Sequence, residues 1–389
     1  MHITTTSDIA CEPKPSEQSV AVGEPERLYS LDALRGFDMF WIIGGGALVS
    51  AIAKKFDVSW LSSVTNNLTE HVEWEGFHFF DLIFPLFLFI MGVAIPFSLD
   101  RRRMAGATLA SLGFVVARRT ILMFLIGWIY SGLLQFKGFD ELRIMGVLQR
   151  LALGYGFAAG ISLIWTTSKA RIIWVAGLLI GYYVLLKFGP VPGFAPGEYS
   201  PQGNFANYVD RLILSPKQMY EPFGDPEGFL STIPAVATAL LGVLTGTYLR
   251  SQLRSGTQKA FHMSIAGVVL ISLGYAWSMD MPIIKKIWTS SYALVAAGWS
   301  LLLLSGFYYV IDVLKVRAWA FFFAVIGMNA ITIYLGQRII NFDHTTRFFL
   351  GGTLELFPSY APIIVPLGVL GMKWIVLYFL HRKQTYLRL

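Results

Sequence analysis

The stretch His71-Val-Glu-Trp-Glu-Gly-Phe-His-Phe-Phe-Asp81, continuing as Leu82-Ile-Phe-Pro-Leu-Phe-Leu-Phe-Ile-Met-Gly92, decides the fold. Its second half belongs to an apolar run reaching about residue 99, and a helix needs ~20 such residues to cross a bilayer. Asp81 stands at the head of that run, where an ionisable group is costly and ordinarily faces a cavity or a partner. His71 lies ten positions earlier. An imidazole titrates near neutrality, so it can take a proton or attack an acyl carbon at modest cost. The pair points to chemistry at a membrane surface.

The rest of the chain carries the same signature. Of its 389 residues 55% are hydrophobic and only 14% charged, with a mean hydropathy of +0.57. A soluble domain carries roughly 25% charged residues, so lipid is the solvent that this composition fits. The net charge of +7 sits in short basic clusters between apolar runs. That is orientation signalling at a membrane, with lipid rather than nucleic acid as the partner. Cys11 is the only cysteine, which excludes intrachain disulfides and cysteine metal clusters. No histidine spacing marks a zinc site, and no metal is expected. Residues 1–27, rich in Thr, Ser, Pro and Glu, are read as a disordered cytoplasmic tail.

Ten spans are expected after that tail, over about 32–53, 78–99, 112–134, 144–166, 172–190, 229–249, 261–279, 289–312, 318–338 and 360–380. The fold class is therefore an all-α integral membrane protein, a polytopic bundle of about ten transmembrane helices. An even number puts both ends on one side. The loops of that side hold Arg101-Arg-Arg103, Arg118-Arg119, Lys169, Arg171, Arg250, Arg254, Lys259, Lys315 and Arg317, and the C-terminus adds Arg382, Lys383 and Arg388. Lys and Arg are retained inside, so the N- and C-termini are expected in the cytoplasm and His71 outside.

Several polar groups in or near these spans have two readings. Arg35, in Leu31-Asp-Ala-Leu-Arg-Gly36, is either an anchor paired with Asp32 at i,i+3 spacing or a contact for an anionic cytosolic ligand. Gly44-Gly-Gly46 reads as a close-packing face. Arg150, after Gln149, seldom faces lipid at a cost of at least ~2.5 kcal/mol; it pairs with Asp38 or Glu141, or it serves a ligand. Asn329 in Gly327-Met-Asn329 fits an interhelical hydrogen bond or a ligand contact. Asp225-Pro-Glu-Gly228 is an ordinary turn, or its two carboxylates bind an amine or a sugar hydroxyl.

The string His71-x-x-Trp74-x-Gly76-x4-Asp81-Leu-x-Phe-Pro85-x-Phe-x-Phe-Ile-Met-Gly92 resembles the signature of the heparan-alpha-glucosaminide N-acetyltransferase family. Four further blocks agree in order: Leu31-Asp-Ala-Leu-Arg-Gly36, Arg143-Ile-x-Gly-Val-Leu-Gln-Arg150, Asp225-Pro-Glu-Gly228 with Tyr208-x-Asp-Arg211 upstream, and Gly327-Met-Asn329. Trp288-x-x-Ser291-Tyr292 is a fifth. The resemblance implies that residues 28–389 form a transmembrane acyltransferase domain. Such a domain would move an acetyl group from cytosolic acetyl-CoA, its cosubstrate, to the amine of a glucosamine-type amino sugar on the far side. The chain also resembles short bacterial members of the family, which implies a bacterial inner (cytoplasmic) membrane and a homodimer.

By this resemblance His71 and Asp81 are the catalytic pair. Arg35, Gln149, Arg150 and Asn329 serve the CoA end, and Trp74, Asp225 and Glu227 serve the acceptor. Ile42 stands where the lysosomal member has Asn, and the 54–70 loop differs in length, so heparan sulfate is not carried over as the acceptor. His71 is expected either to take the acceptor's proton as general base or to carry the acetyl group itself. The alternative function is a secondary transporter of a sugar or organic anion.

Overall fold

A computed structural model describes residues 28–56, 59–136 and 138–387. The tail over residues 1–27, including Cys11, lies outside the described residues. The elements are helices: α1 (Tyr29–Phe40), α2 (Gly46–Phe56), α3 (Ser59–Thr69), α4 (Phe79–Met104), α5 (Leu109–Tyr130), α6 (Val147–Ile164), α7 (Ser168–Phe188), α8 (Phe205–Ile213), α9 (Thr232–Arg250), α10 (Gly256–Trp277), α11 (Ser290–Tyr308), α12 (Ala320–Met328), α13 (Ala330–Ile339), α14 (Phe342–Leu356) and α15 (Ala361–Arg382).

Among the described residues nine stretches are long and apolar enough to cross a membrane, the first being Tyr29–Phe56 and the eighth Ser290–Val313. The ninth expected span, 318–338, is not one straight helix. It is α12 and α13, bent by 70° at Asn329. Asn329 adopts a non-helical backbone (φ −125°, ψ 30°), and its side-chain oxygen accepts from the Thr332 hydroxyl at 3.3 Å. An asparagine that bonds locally competes with the helical ladder, which is why the span breaks there. Three stretches read as loops contain helices: α3 within 54–70, α8 within 190–228 and α14 after α13.

Burial separates the helices into two kinds. In α4, 78% of the most apolar window is buried in protein, and in α9 72%, against 17% in α5 and 22% in α10 and α15. The outer helices expose Phe114, Ile121, Ile173 and Phe261. In water such surface would drive aggregation; in hydrocarbon it is the required exterior, with each helix satisfying its own backbone.

Two of the glycine motifs have a backbone reason. Gly36 and Gly327 bring α1 and α12 into main-chain contact: a Cβ at Gly36 would lie 1.7 Å from the Phe323 carbonyl oxygen, and one at Gly327 1.9 Å from that of Asp32. Within the Gly44-Gly-Gly46 run, Gly45 packs closely on the Phe40 ring, where a Cβ would lie 2.3 Å from a ring carbon, whereas Gly44 has a different reason. Between α1 and α2 the chain passes through a π-type segment, Trp41–Gly45, in which Gly44 has φ 144°. A Cβ at Gly44 would meet nothing within 4 Å, so the left-handed backbone explains the glycine. Lys373 of α15 covers this break, its ammonium donating to the Ile43 carbonyl at 2.6 Å and to Gln337 at 3.1 Å.

Candidate active site

Asp81 is the third residue of α4, and its position follows from helix-end chemistry. The first N–H groups of a helix lack intrahelical acceptors, and a carboxylate at this point supplies one. Asp81 Oδ2 accepts from the main-chain N–H of His78 at 3.0 Å and of Val72 at 3.3 Å. That leaves Oδ1 for His71, whose Nδ1 lies 2.8 Å away. The carboxylate is buried (1% exposed), whereas half of the His71 side chain meets solvent. The Phe80 ring lies against the imidazole, tilted by 32° with centroids 4.7 Å apart. With Nδ1–H directed to Asp81, Nε2 is left as the reactive nitrogen.

Lys285, from the α10–α11 connection, completes this group. Its Nζ is 3.3 Å from Asp81 Oδ1, 2.9 Å from His71 Nδ1 and 3.3 Å from Nε2. An atom that close to both ring nitrogens in the ring plane would collide with ring carbon, so the ammonium lies over the face. Burial pushes the Lys285 ammonium below its usual range, against the pull of Asp81. The two loops are pinned together: Gly76 N–H donates to the Ile283 carbonyl at 2.9 Å, and Glu75 pairs with Ile284.

A cavity of about 250 Å³ opens at His71 and Lys285. Glu227 shares its mouth. Its walls are Phe80, Phe84 and Phe87 of α4, Met39 of α1, Leu148 and Leu151 of α6, and Tyr334 of α13. From Phe80 to Phe87 is seven helical residues, so it descends roughly 10 Å into the bundle.

Behind this mouth lies a charged cluster. Arg143 grips Asp225 with two hydrogen bonds, Nε to Oδ2 at 2.9 Å and Nη2 to Oδ1 at 2.7 Å, and also pairs with Glu227. Burial opposes the Arg143 charge, but Asp225 and Glu227 outweigh it and hold the guanidinium above its usual range. Burial raises Glu227, with Arg143 working against the rise. Asp210 of α8 ties the turn in place, accepting from Phe229 N–H at 3.0 Å and Asp225 N–H at 3.4 Å. Burial pushes its carboxyl up to about 6.

The expected acceptor residues therefore separate. Glu227 faces the cavity, while Asp225 is clamped and Trp74 serves as a clasp, its indole N–H donating to the Tyr199 carbonyl at 2.9 Å. The expected CoA residues separate too. Arg35 pairs with Asp32 at 3.5 Å near the start of α1. Arg150, placed by sequence at that same end, is in the first turn of α6, which begins where the chain returns from α5, on the His71 side. It is fully buried, donates to Ser231 and to the Gly228 carbonyl, and lies 5.0 Å over the Trp288 ring. Among the described residues, the Asp38 carboxylate has no hydrogen-bond partner and Glu141 pairs with Lys217 instead. Gln149 is buried beside Gly127, and Asn329 marks the α12–α13 bend. The motif order fixed neither depth nor side for Arg150; counting crossings does.

Sequence reading passed over Lys285, Phe80 and the role of Arg143. One signal for Lys285 was available: Lys285-Lys286 is a basic pair in the connection between two spans, on the side of His71.

Fold and site together define a multi-pass membrane protein with a carboxylate-oriented histidine at the mouth of a cavity entering the helix bundle. Comparison with known proteins agrees with the motif reading. The chain is 26% identical to human (Homo sapiens) heparan-alpha-glucosaminide N-acetyltransferase over 93% of its own length and 60% of the relative's. It is 28% identical to the mouse (Mus musculus) protein of the same name over 82% of its length and 56% of the relative's. The chain is thus a distant relative of these acetyltransferases, and spans less than two thirds of their length. Residues 27–184 also match a family described as a domain of unknown function (DUF5009).

Proposed function

We propose that the protein is a membrane-spanning acetyltransferase, taking acetyl-CoA from the cytoplasmic side and acetylating the amine of a glucosamine-type sugar on the periplasmic side of a bacterial inner membrane. The observation that carries this reading is the His71–Asp81 pair at the head of a cavity running into the bundle. The basic clusters support the orientation, because they flank the short α4–α5, α6–α7, α9–α10 and α11–α12 connections at one end. Arg35 at that end is the proposed contact for the CoA phosphates. Glu227 is the proposed contact for the acceptor, with Arg150 behind it.

An amine attacks a thioester only after losing its proton. Nε2 of His71 is placed to take that proton, while Asp81 holds the ring and balances the imidazolium. The same nitrogen serves a two-step route through an acetyl-histidine. A burst of CoA release without acceptor separates the routes.

The bend at Asn329 and the break at Gly44 favour a second reading, since transporters build sites at interrupted helices. One assay decides. Purified protein given acetyl-CoA and glucosamine releases free CoA and N-acetylated sugar if it is the enzyme. A transporter releases neither, and instead moves labelled sugar into proteoliposomes.

A further inference from the structure

We infer that Lys285 is a catalytic residue whose ammonium holds the acetyl carbonyl oxygen and takes the charge that develops there. This rests on the acetyl-transfer reading above and adds the group that stabilises its tetrahedral intermediate. Acyl transfer needs a base for the attacking amine and a donor for the carbonyl oxygen, both aimed at one carbon. Lys285 Nζ is 3.3 Å from Nε2 of His71, so a carbon approached by an amine bonded to Nε2 carries its oxygen within reach of the ammonium.

Lys285 is also free to act. An ammonium has three donors, and Asp81 Oδ1 engages one of them. Its position over the ring face leaves the in-plane lone pair of Nε2 clear for the amine. Lys285, His71 and Glu227 share one cavity mouth.

The step balances with these groups. The amine nitrogen bonds to the acetyl carbon, the C=O electron pair moves to oxygen beside Lys285, and the nitrogen's proton passes to Nε2. The oxygen pair then returns, the C–S bond breaks, and the CoA thiolate takes the proton from His71. The products are the amide and free CoA, with both side chains restored.

The test compares Lys285→Met and Lys285→Arg with the wild type in steady-state CoA release, together with acetyl-CoA binding and melting temperature. Loss of one such donor lowers kcat by about 10²–10³-fold; for Met this is expected with acetyl-CoA affinity within a few-fold, and Arg should recover at least part. A Lys285→Cys variant in a Cys11→Ser background provides the rescue. Alkylation with bromoethylamine rebuilds an ammonium and should restore turnover at least tenfold, whereas iodoacetamide should not. Rescue by either reagent alike, or a Met variant within threefold of wild type, overturns the role of Lys285 while leaving the acetyltransferase reading intact. A wild-type protein that releases no CoA overturns both.

Discussion

The Tyr292 hydroxyl donates to the main-chain carbonyl of Asp81 across 2.8 Å, deep in the bundle. In an α-helix that carbonyl would accept from the N–H four residues on, but residue 85 is proline and has none. Tyr292 therefore replaces a bond that Pro85 removes, and it does so at the residue that orients His71. Tyr292→Phe should leave a buried carbonyl unsatisfied and cost ~1–3 kcal/mol. A lower melting temperature together with a reduced kcat is expected; an unchanged melt would show that the carbonyl finds another donor.

His71→Ala should abolish acetyl transfer, with loss of at least about 100-fold, while acetyl-CoA binding persists. Asp81→Asn should also be severely impaired, because the amide keeps one acceptor oxygen where the carboxylate offers two, one to His71 and one to Val72 and His78, and it cannot balance the imidazolium. CoA release, with binding followed by calorimetry, checks both. Turnover near wild type in the His71 variant would remove the histidine from the chemistry.

The two arginines expected at one end now give opposite predictions. Arg35→Gln should weaken acetyl-CoA binding by about 1.5–3 kcal/mol, the range for hydrogen bonds to charged groups, with the acceptor KM unchanged. Arg150→Gln should leave acetyl-CoA affinity alone and raise the acceptor KM or lower the melting temperature. Weaker acetyl-CoA binding in the Arg150 variant would contradict its place beside Ser231 and Gly228.

Breaking the clamp of Arg143 should be costly. Arg143→Met leaves Asp225 and Glu227 buried without their cation, a loss of ~3–5 kcal/mol. The double variant Arg143→Met, Asp225→Asn should regain part of it. Melting curves of the single and double variants supply the comparison.

Asp210 makes stability depend on pH. Its carboxyl is raised to about 6 in the fold, against ~3.9 unfolded. The folded state therefore binds more protons between those values, and stability falls as pH rises from about 4 to 6, by on the order of 2–3 kcal/mol. Asp210→Asn should flatten that part of the melting profile. An Asp210→Asn profile with the same slope as the wild type over that window would refute the assignment.

The helices were legible because lipid-length apolar runs are a strong signal, and the nine such stretches among the described residues needed nothing more. The bend at Asn329 was not, since the apolar pattern continues through it and only the local bonding of one amide breaks the ladder. The His71–Asp81 contact was suggested by spacing and motif. Lys285 comes from more than 200 residues away and shows only in three dimensions. Arg150 is the converse case: its motif neighbours suggested a task shared with Arg35, while its helix begins on the His71 side, which only the count of crossings reveals.

Half of the His71 side chain is open to solvent, and this sets a fidelity problem. Any acetyl group presented there meets water, at a concentration no sugar can match. Wasteful thioester hydrolysis is then suppressed only if the mouth stays unproductive until an acceptor displaces the water around Nε2. The protein's economy, measured as sugar acetylated per CoA released, is thus governed by how well the acceptor plugs an opening that the fold leaves uncovered.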